Sequence, residues 1–130
     1  MNPHRLYRSW LIIISFAMIL TGIIIAFLVE PSSLPVEQTS MSKWVLGLLG
    51  ATMMGWAATM LLVGRYAFDQ KLPELLRILL IGLVVWFVPD TFISTYFSAY
   101  FNVIINIVIL AVASIPLIAG QKVLKKKTIA

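Results

Sequence analysis

Cysteine is absent from this 130-residue chain, which excludes disulfide exchange, thiolate catalysis, iron–sulfur ligation and thiolate zinc sites. Histidine occurs once, as His4 ahead of the first apolar run, so paired histidines cannot hold a haem inside a bilayer within one chain. Charge is scarce too: 12% of residues are charged against 61% hydrophobic, far outside the range of ordinary globular domains. Catalytic motifs are missing as well. There is no HExxH, no paired-carboxylate motif in an apolar helix, no serine with a plausible histidine base and no glycine-rich phosphate loop. General acid–base work would fall to Asp90 or Glu30 alone. An enzyme is therefore the least supported class, and no cofactor or metal is implied.

What is present in abundance is hydrocarbon. Four apolar runs cover about residues 10–29, 44–63, 75–97 and 102–120, each near the 20 or so residues that cross roughly 30 Å of lipid. The first run is too long for a signal-peptide h-region, and Leu28-Val29-Glu30-Pro31 offers no small-residue cleavage site. The expected fold is an all-α, four-helix transmembrane bundle forming one integral membrane domain. Glu30 to Lys43, with Pro31 and Pro35, reads as the one true loop. The net charge of +5 would suggest nucleic acid in a soluble protein, but here the basic residues flank apolar runs and the membrane explains them. Arg5, Arg8, Arg65, Lys71, Arg77, Lys122, Lys125, Lys126 and Lys127 fall on one side of a four-span topology, and Lys43 alone on the other. The positive-inside rule then puts both termini in the cytoplasm, with a bacterial inner membrane the expected location.

Within the runs, polar groups are few enough to be followed individually. Asp90 is the only carboxylate in mid-run, and an acid at the centre of a membrane helix costs about 2.5–3.5 kcal/mol on insertion scales. Pro89 precedes it, removing a backbone donor and freeing the carbonyl of Val85, which could help to form a site. Trp86, Asp90 and Ser94 share a helix face at intervals of four, as do Asn102 and Asn106 on the fourth run. At about 1.5 Å rise per residue, Asp90 lies roughly 24 Å along helix three. That depth matches those of Asn102, Asn106, Thr52 and the run-end residues Glu30 and Lys43. The candidate ligand-binding set is thus Asp90, Thr91, Ser94, Asn102, Asn106, Thr52, Trp56, Trp86 and Glu30. Three readings of Asp90 stand side by side: a polar clamp between helices, a proton, ion or small-ligand site, and an interfacial carboxylate that reaches water.

Helix two carries a second feature. Gly47, Ala51 and Gly55 recur every four residues, with Gly50 alongside, so one face is nearly bare and permits close approach of another helix. A second copy or a membrane-protein partner would fit that face.

The segments Gly50-Ala51-Thr52-Met53-Met54-Gly55-Trp56 and Trp86-Phe87-Val88-Pro89-Asp90-Thr91, followed by Asn102 and Asn106, resemble a group of small uncharacterised bacterial inner-membrane proteins with four spans. The likeness covers roughly helices two to four. It implies a compact four-helix membrane protein and no particular activity. In size and span count the chain is also similar to DoxX-like proteins, some of which are membrane subunits of quinone-linked oxidoreductases; none of their motifs is present. From the residues, the leading expectation is a non-enzymatic accessory or interaction subunit. The alternative is a small carrier or ligand-binding protein centred on Asp90.

Overall fold

The computed structural model describes residues 3–30 and 40–128. Four helices follow in order, α1 (Pro3–Phe27), α2 (Ser40–Asp69), α3 (Pro73–Tyr96) and α4 (Tyr100–Thr128), and no strand occurs among the described residues. All four are long and apolar enough to cross a membrane. The chain is a four-helix transmembrane bundle. Its helices outrun the apolar runs, because backbone hydrogen bonding continues into the flanks while hydropathy does not: α1 begins seven residues before Trp10, and α4 reaches Thr128. Most of the loop expected at Glu30 to Lys43 lies outside the described residues, and its last part belongs to α2.

The outer surface explains why lipid is required. Phe16, Leu62, Ile78, Val85, Phe92 and Ile104 are each more than half exposed, an apolar belt that water would not tolerate. The interior is built from Leu11, Ala57, Met60, Phe68, Leu76, Leu83, Leu117 and Leu124, all essentially fully buried. Those residues concentrate toward the end that holds both termini. There Gly120 leaves room for the Phe68 ring, and Gly64 for Leu11. Polar contacts fasten the same end: Arg8 donates to both carboxylate oxygens of Asp69 at 2.8 and 3.2 Å, and the His4 ring packs edge-on against Phe68.

Two tight turns join α2 to α3 and α3 to α4. Lys71 and Ser98 adopt left-handed backbone, with φ of 57° and 56°. At each, two reversed hydrogen bonds close the preceding helix: Leu72 N–H to Ala67 and Lys71 N–H to Phe68 for α2, Ala99 N–H to Ser94 and Ser98 N–H to Thr95 for α3. This is the Schellman arrangement, ordinarily occupied by glycine at the left-handed position. The second turn is only three residues long, so α3 and α4 return antiparallel at once.

The helices then pair unequally. α1 packs closely along α2, α3 along α4, and the two hairpins meet mainly through α1 and α4, with little contact between α2 and α3. The α1–α2 crossing is made by Gly22 and Gly50, where the backbones touch directly: a Cβ on Gly50 would clash with the Gly22 carbonyl and meet Ala26 N at 2.6 Å. The bare face of α2 expected to serve helix packing therefore does not pack within the chain. Gly47 and Gly55 have nothing within 4 Å of an added Cβ, and Ala51 is exposed. Gly50 lies about 100° around the helix from Ala51, and that offset face turned inward.

Two outcomes test this packing. Gly50→Ala should lower stability by about 1–3 kcal/mol, since the obstacle is backbone, whereas Gly55→Ala should stay within about 0.5 kcal/mol; thermal unfolding in detergent compares them. In the same assay Ser98→Gly should raise stability by about 1 kcal/mol, the cost of a left-handed Cβ.

Candidate functional site

At the end of the bundle opposite the termini, the sparse α2–α3 contact leaves space. A cavity of about 230 Å³ lies there, bounded by all four helices; Met18 and Ile25 come from α1, Leu49 and Met53 from α2, Trp86 from α3 and Ile105 from α4. Its wall is hydrocarbon apart from Thr52, Asp90, Asn102 and Asn106, and includes the residues Trp56 and Trp86.

Asp90 is held by α4. Asn106 Nδ2 donates to Asp90 Oδ2 at 2.5 Å and Asn102 Nδ2 donates to the same oxygen at 3.1 Å. The amide of Asn106 is 1% exposed, so its donor would be left in hydrocarbon without the carboxylate. Neighbouring hydroxyls complete the arrangement. Asn102 also donates to Ser94 Oγ at 2.8 Å, and Ser94 Oγ donates to the Asp90 backbone carbonyl at 2.7 Å. Asn106 reaches Thr91 Oγ1 at 3.3 Å. The geometry follows directly from the local chain: the three-residue turn at 97–99 reverses direction, and residues 8, 12 and 16 apart then face each other across two antiparallel helices. Among the described residues no hydrogen bond reaches Asp90 Oδ1, since both amide donors converge on Oδ2.

Trp56 is the second unusual member. Its Nε1 is the one buried side-chain polar atom among the described residues without a hydrogen-bond partner. The benzo edge of the indole fills the notch above Gly82 of α3, where an added Cβ would come within 2.7 Å of Cη2. That contact spans the gap between α2 and α3. An unsatisfied indole N–H in a dry interior costs on the order of 1–3 kcal/mol, and buried tryptophans usually find an acceptor.

Of the residues expected to form the site, Asp90, Thr91, Ser94, Asn102 and Asn106 make one hydrogen-bonded cluster, and Trp56, Trp86 and Thr52 line the cavity beside it. Thr52 gives no bond to Asp90; its hydroxyl donates to the Leu48 carbonyl in its own helix at 2.8 Å. Glu30 is not brought in. It forms an exposed ion pair with Lys43 at 3.2 Å, because Glu30 follows the end of α1 and Lys43 lies in the first turn of α2. Pro89 does not contribute a free carbonyl to the site either: α3 continues through it, and Pro89 and Val85 both lie on the exposed side of the helix. The cavity-lining apolar residues were not foreseen. Met18, Ile25, Leu49 and Ile105 carry no mark that separates them from other aliphatic residues in the runs. Gly82, the lone glycine of α3, was the one available signal for the seat of Trp56.

Among the described residues no group of three or more histidines, aspartates or glutamates comes together. Compared with known protein families, curated proteins and solved structures, the chain matches none.

The cluster predicts an order of sensitivity. Asn106→Leu, which removes the shorter of two bonds to a carboxylate, should cost about 1.5–3 kcal/mol. Asn102→Leu should cost less, because Asn102 is only half-buried and its bond is longer. Thermal unfolding of both variants in one detergent gives the comparison, and equal losses would contradict the ranking.

Proposed function

We propose that this chain is a membrane-embedded binding protein that takes a small, largely apolar molecule between its two hairpins and fixes it by one polar group at Asp90. The observation that carries this reading is the cavity itself. A polar clamp alone would bury its groups against packed side chains, whereas here Asp90, whose second oxygen accepts no hydrogen bond among the described residues, borders an open space together with Thr52, Asn102 and Asn106. A mostly apolar concavity with a few convergent polar groups is the usual form of a small-molecule site. Asn102 and Asn106 orient the carboxylate, Ser94 and Thr91 support the two amides, and Trp56 and Trp86 provide flat apolar walls. The reaction side of the ledger is empty: with a single ionisable side chain in the cavity, binding or carriage is better supported than catalysis.

A second reading has its own observation. The exposed face of Gly47, Ala51 and Gly55 has open space over both glycines, which suits a non-enzymatic accessory subunit that docks a partner helix or a second copy there. For orientation we infer a cytoplasmic position for both termini in a bacterial inner membrane. Arg8, Arg65, Lys71, Arg77 and Lys125 all flank the terminal end of the bundle, and Lys43 stands at the other.

Intact-complex mass spectrometry from mild detergent tests the first reading. Wild-type protein should retain one small molecule per chain, and both Thr52→Phe, which puts a ring into the cavity, and Asp90→Leu should lose it while remaining folded. Wild-type protein that carries nothing, or variants that retain the same mass, would rule the binding reading out. A stable dimer abolished by Gly55→Leu would instead favour the second reading.

A further inference from the structure

Beside this cavity lies a second space. An apolar groove of about 320 Å³ runs between α1 and α4, lined by Ile14, Ala17, Thr21, Ile104, Val108 and Val112 among others. Met18, Met53, Ile105 and Ile109 line both spaces, so the groove and the Asp90 cavity share a wall of four side chains. Two of these are methionines, whose unbranched side chains adapt their shape to what they contact. The cavity lies just below, and the groove at the bottom of, the roughly 300–1,000 Å³ typical of small-molecule sites.

The groove offers no polar anchor. Its one hydroxyl, on Thr21, is committed to the Ala17 carbonyl at 2.9 Å. Ala17 and Thr21 are exposed on α1, as are Ile104 and Val108 on α4, so in a membrane this groove faces acyl chains. Beyond that shared wall the chemistry changes. Asp90 Oδ1 accepts no hydrogen bond among the described residues, so a donor on a bound molecule suits it. A hydroxyl or a neutral amide supplies one. A carboxylate or phosphate would present acceptors instead, and a charged head would lose its water against a wall that is otherwise hydrocarbon.

Building on the binding role assigned above, we propose that the ligand is a neutral single-chain amphiphile that enters sideways from the bilayer between α1 and α4. Its hydrocarbon tail lies in the α1–α4 groove, and its hydroxyl or amide head passes the shared methionines and hydrogen-bonds to Asp90. The arrangement extracts specificity from two places: head chemistry is read by the acid, and tail length by the groove.

Brominated probes test this in full-length protein reconstituted in unbrominated lipid nanodiscs. In 2-bromododecan-1-ol the bromine sits next to the head, so a bound molecule quenches Trp56 and Trp86. 2-Bromododecanoic acid presents an anionic head, and 2-bromoethanol has the head without the tail. The alcohol should quench saturably, and the acid should be about tenfold weaker or more. Ala17→Phe fills the groove from its exposed side, with Ala17→Leu as the milder variant. Ala17→Phe should weaken the long alcohol by about tenfold, about 1.4 kcal/mol, because the ring occupies the space of the tail, and should affect 2-bromoethanol far less. For the Ala17 variants each probe is compared with itself, so partitioning into the bilayer cancels; acid and alcohol are compared at equal membrane-bound concentration. Equal quenching by acid and alcohol, or no effect of either Ala17 variant on the long alcohol, overturns the proposal while Asp90→Leu sensitivity keeps the binding site in place. If no probe quenches saturably, or Asp90→Leu and Thr52→Phe both behave as wild type, the site reading falls with it.

Discussion

One constraint governs the arrangement of the half of this bundle away from the termini: a carboxylate placed in hydrocarbon must be met by donors from its own protein. Asp90 obtains two, both from α4 and both to the same oxygen. Much follows from that requirement. α4 must present Asn102 and Asn106 on one face, the α3–α4 turn must be short enough to keep them level with the acid, and Ser94 and Thr91 must accept what the amides have left over. A polar network set in hydrocarbon is favourable only when its members are satisfied. The one oxygen and the one indole that are not satisfied stand out for that reason.

Packing divides the molecule along its length. Near the termini, glycines at 64 and 120 admit Leu11 and Phe68, and the core is closed. Farther along, α2 and α3 part, and only the indole of Trp56 seated on Gly82 crosses the gap. The division is between a fastened base and a splayed mouth. Lipid contributes no hydrophobic force to close such a gap, because separated apolar helices are as well solvated by acyl chains as by each other. A cavity at this position is therefore cheaper to maintain than one of equal size in a water-soluble core.

The bundle and the heart of the polar cluster were readable from residue type and spacing. Asp90, Asn102 and Asn106 are so costly in apolar runs that they had to find one another, and helical periodicity showed which neighbours could join them. Phase information failed where several faces were equally plausible. Gly47, Ala51 and Gly55 formed the more regular stripe, yet Gly50 made the contact with Gly22; spacing reports that a face is bare, not which way it points. Glu30 and Thr52 were assigned by depth alone, and depth does not distinguish a side chain on the bundle axis from one at its rim. The aliphatic wall of the cavity was invisible, since leucine, isoleucine and methionine read alike whether they border a void or fill one.

The acid and its two amides belong to adjacent helices joined by three residues, and neither α1 nor α2 supplies any of the donors to the carboxylate. During biogenesis, the second hairpin can thus leave the translocation machinery with its acid already hydrogen-bonded by partners on the same hairpin. The first hairpin has no such burden and enters lipid on hydropathy alone. Assembly of the whole then becomes a late meeting of two inserted pairs, and the cavity is what their imperfect closure leaves between them.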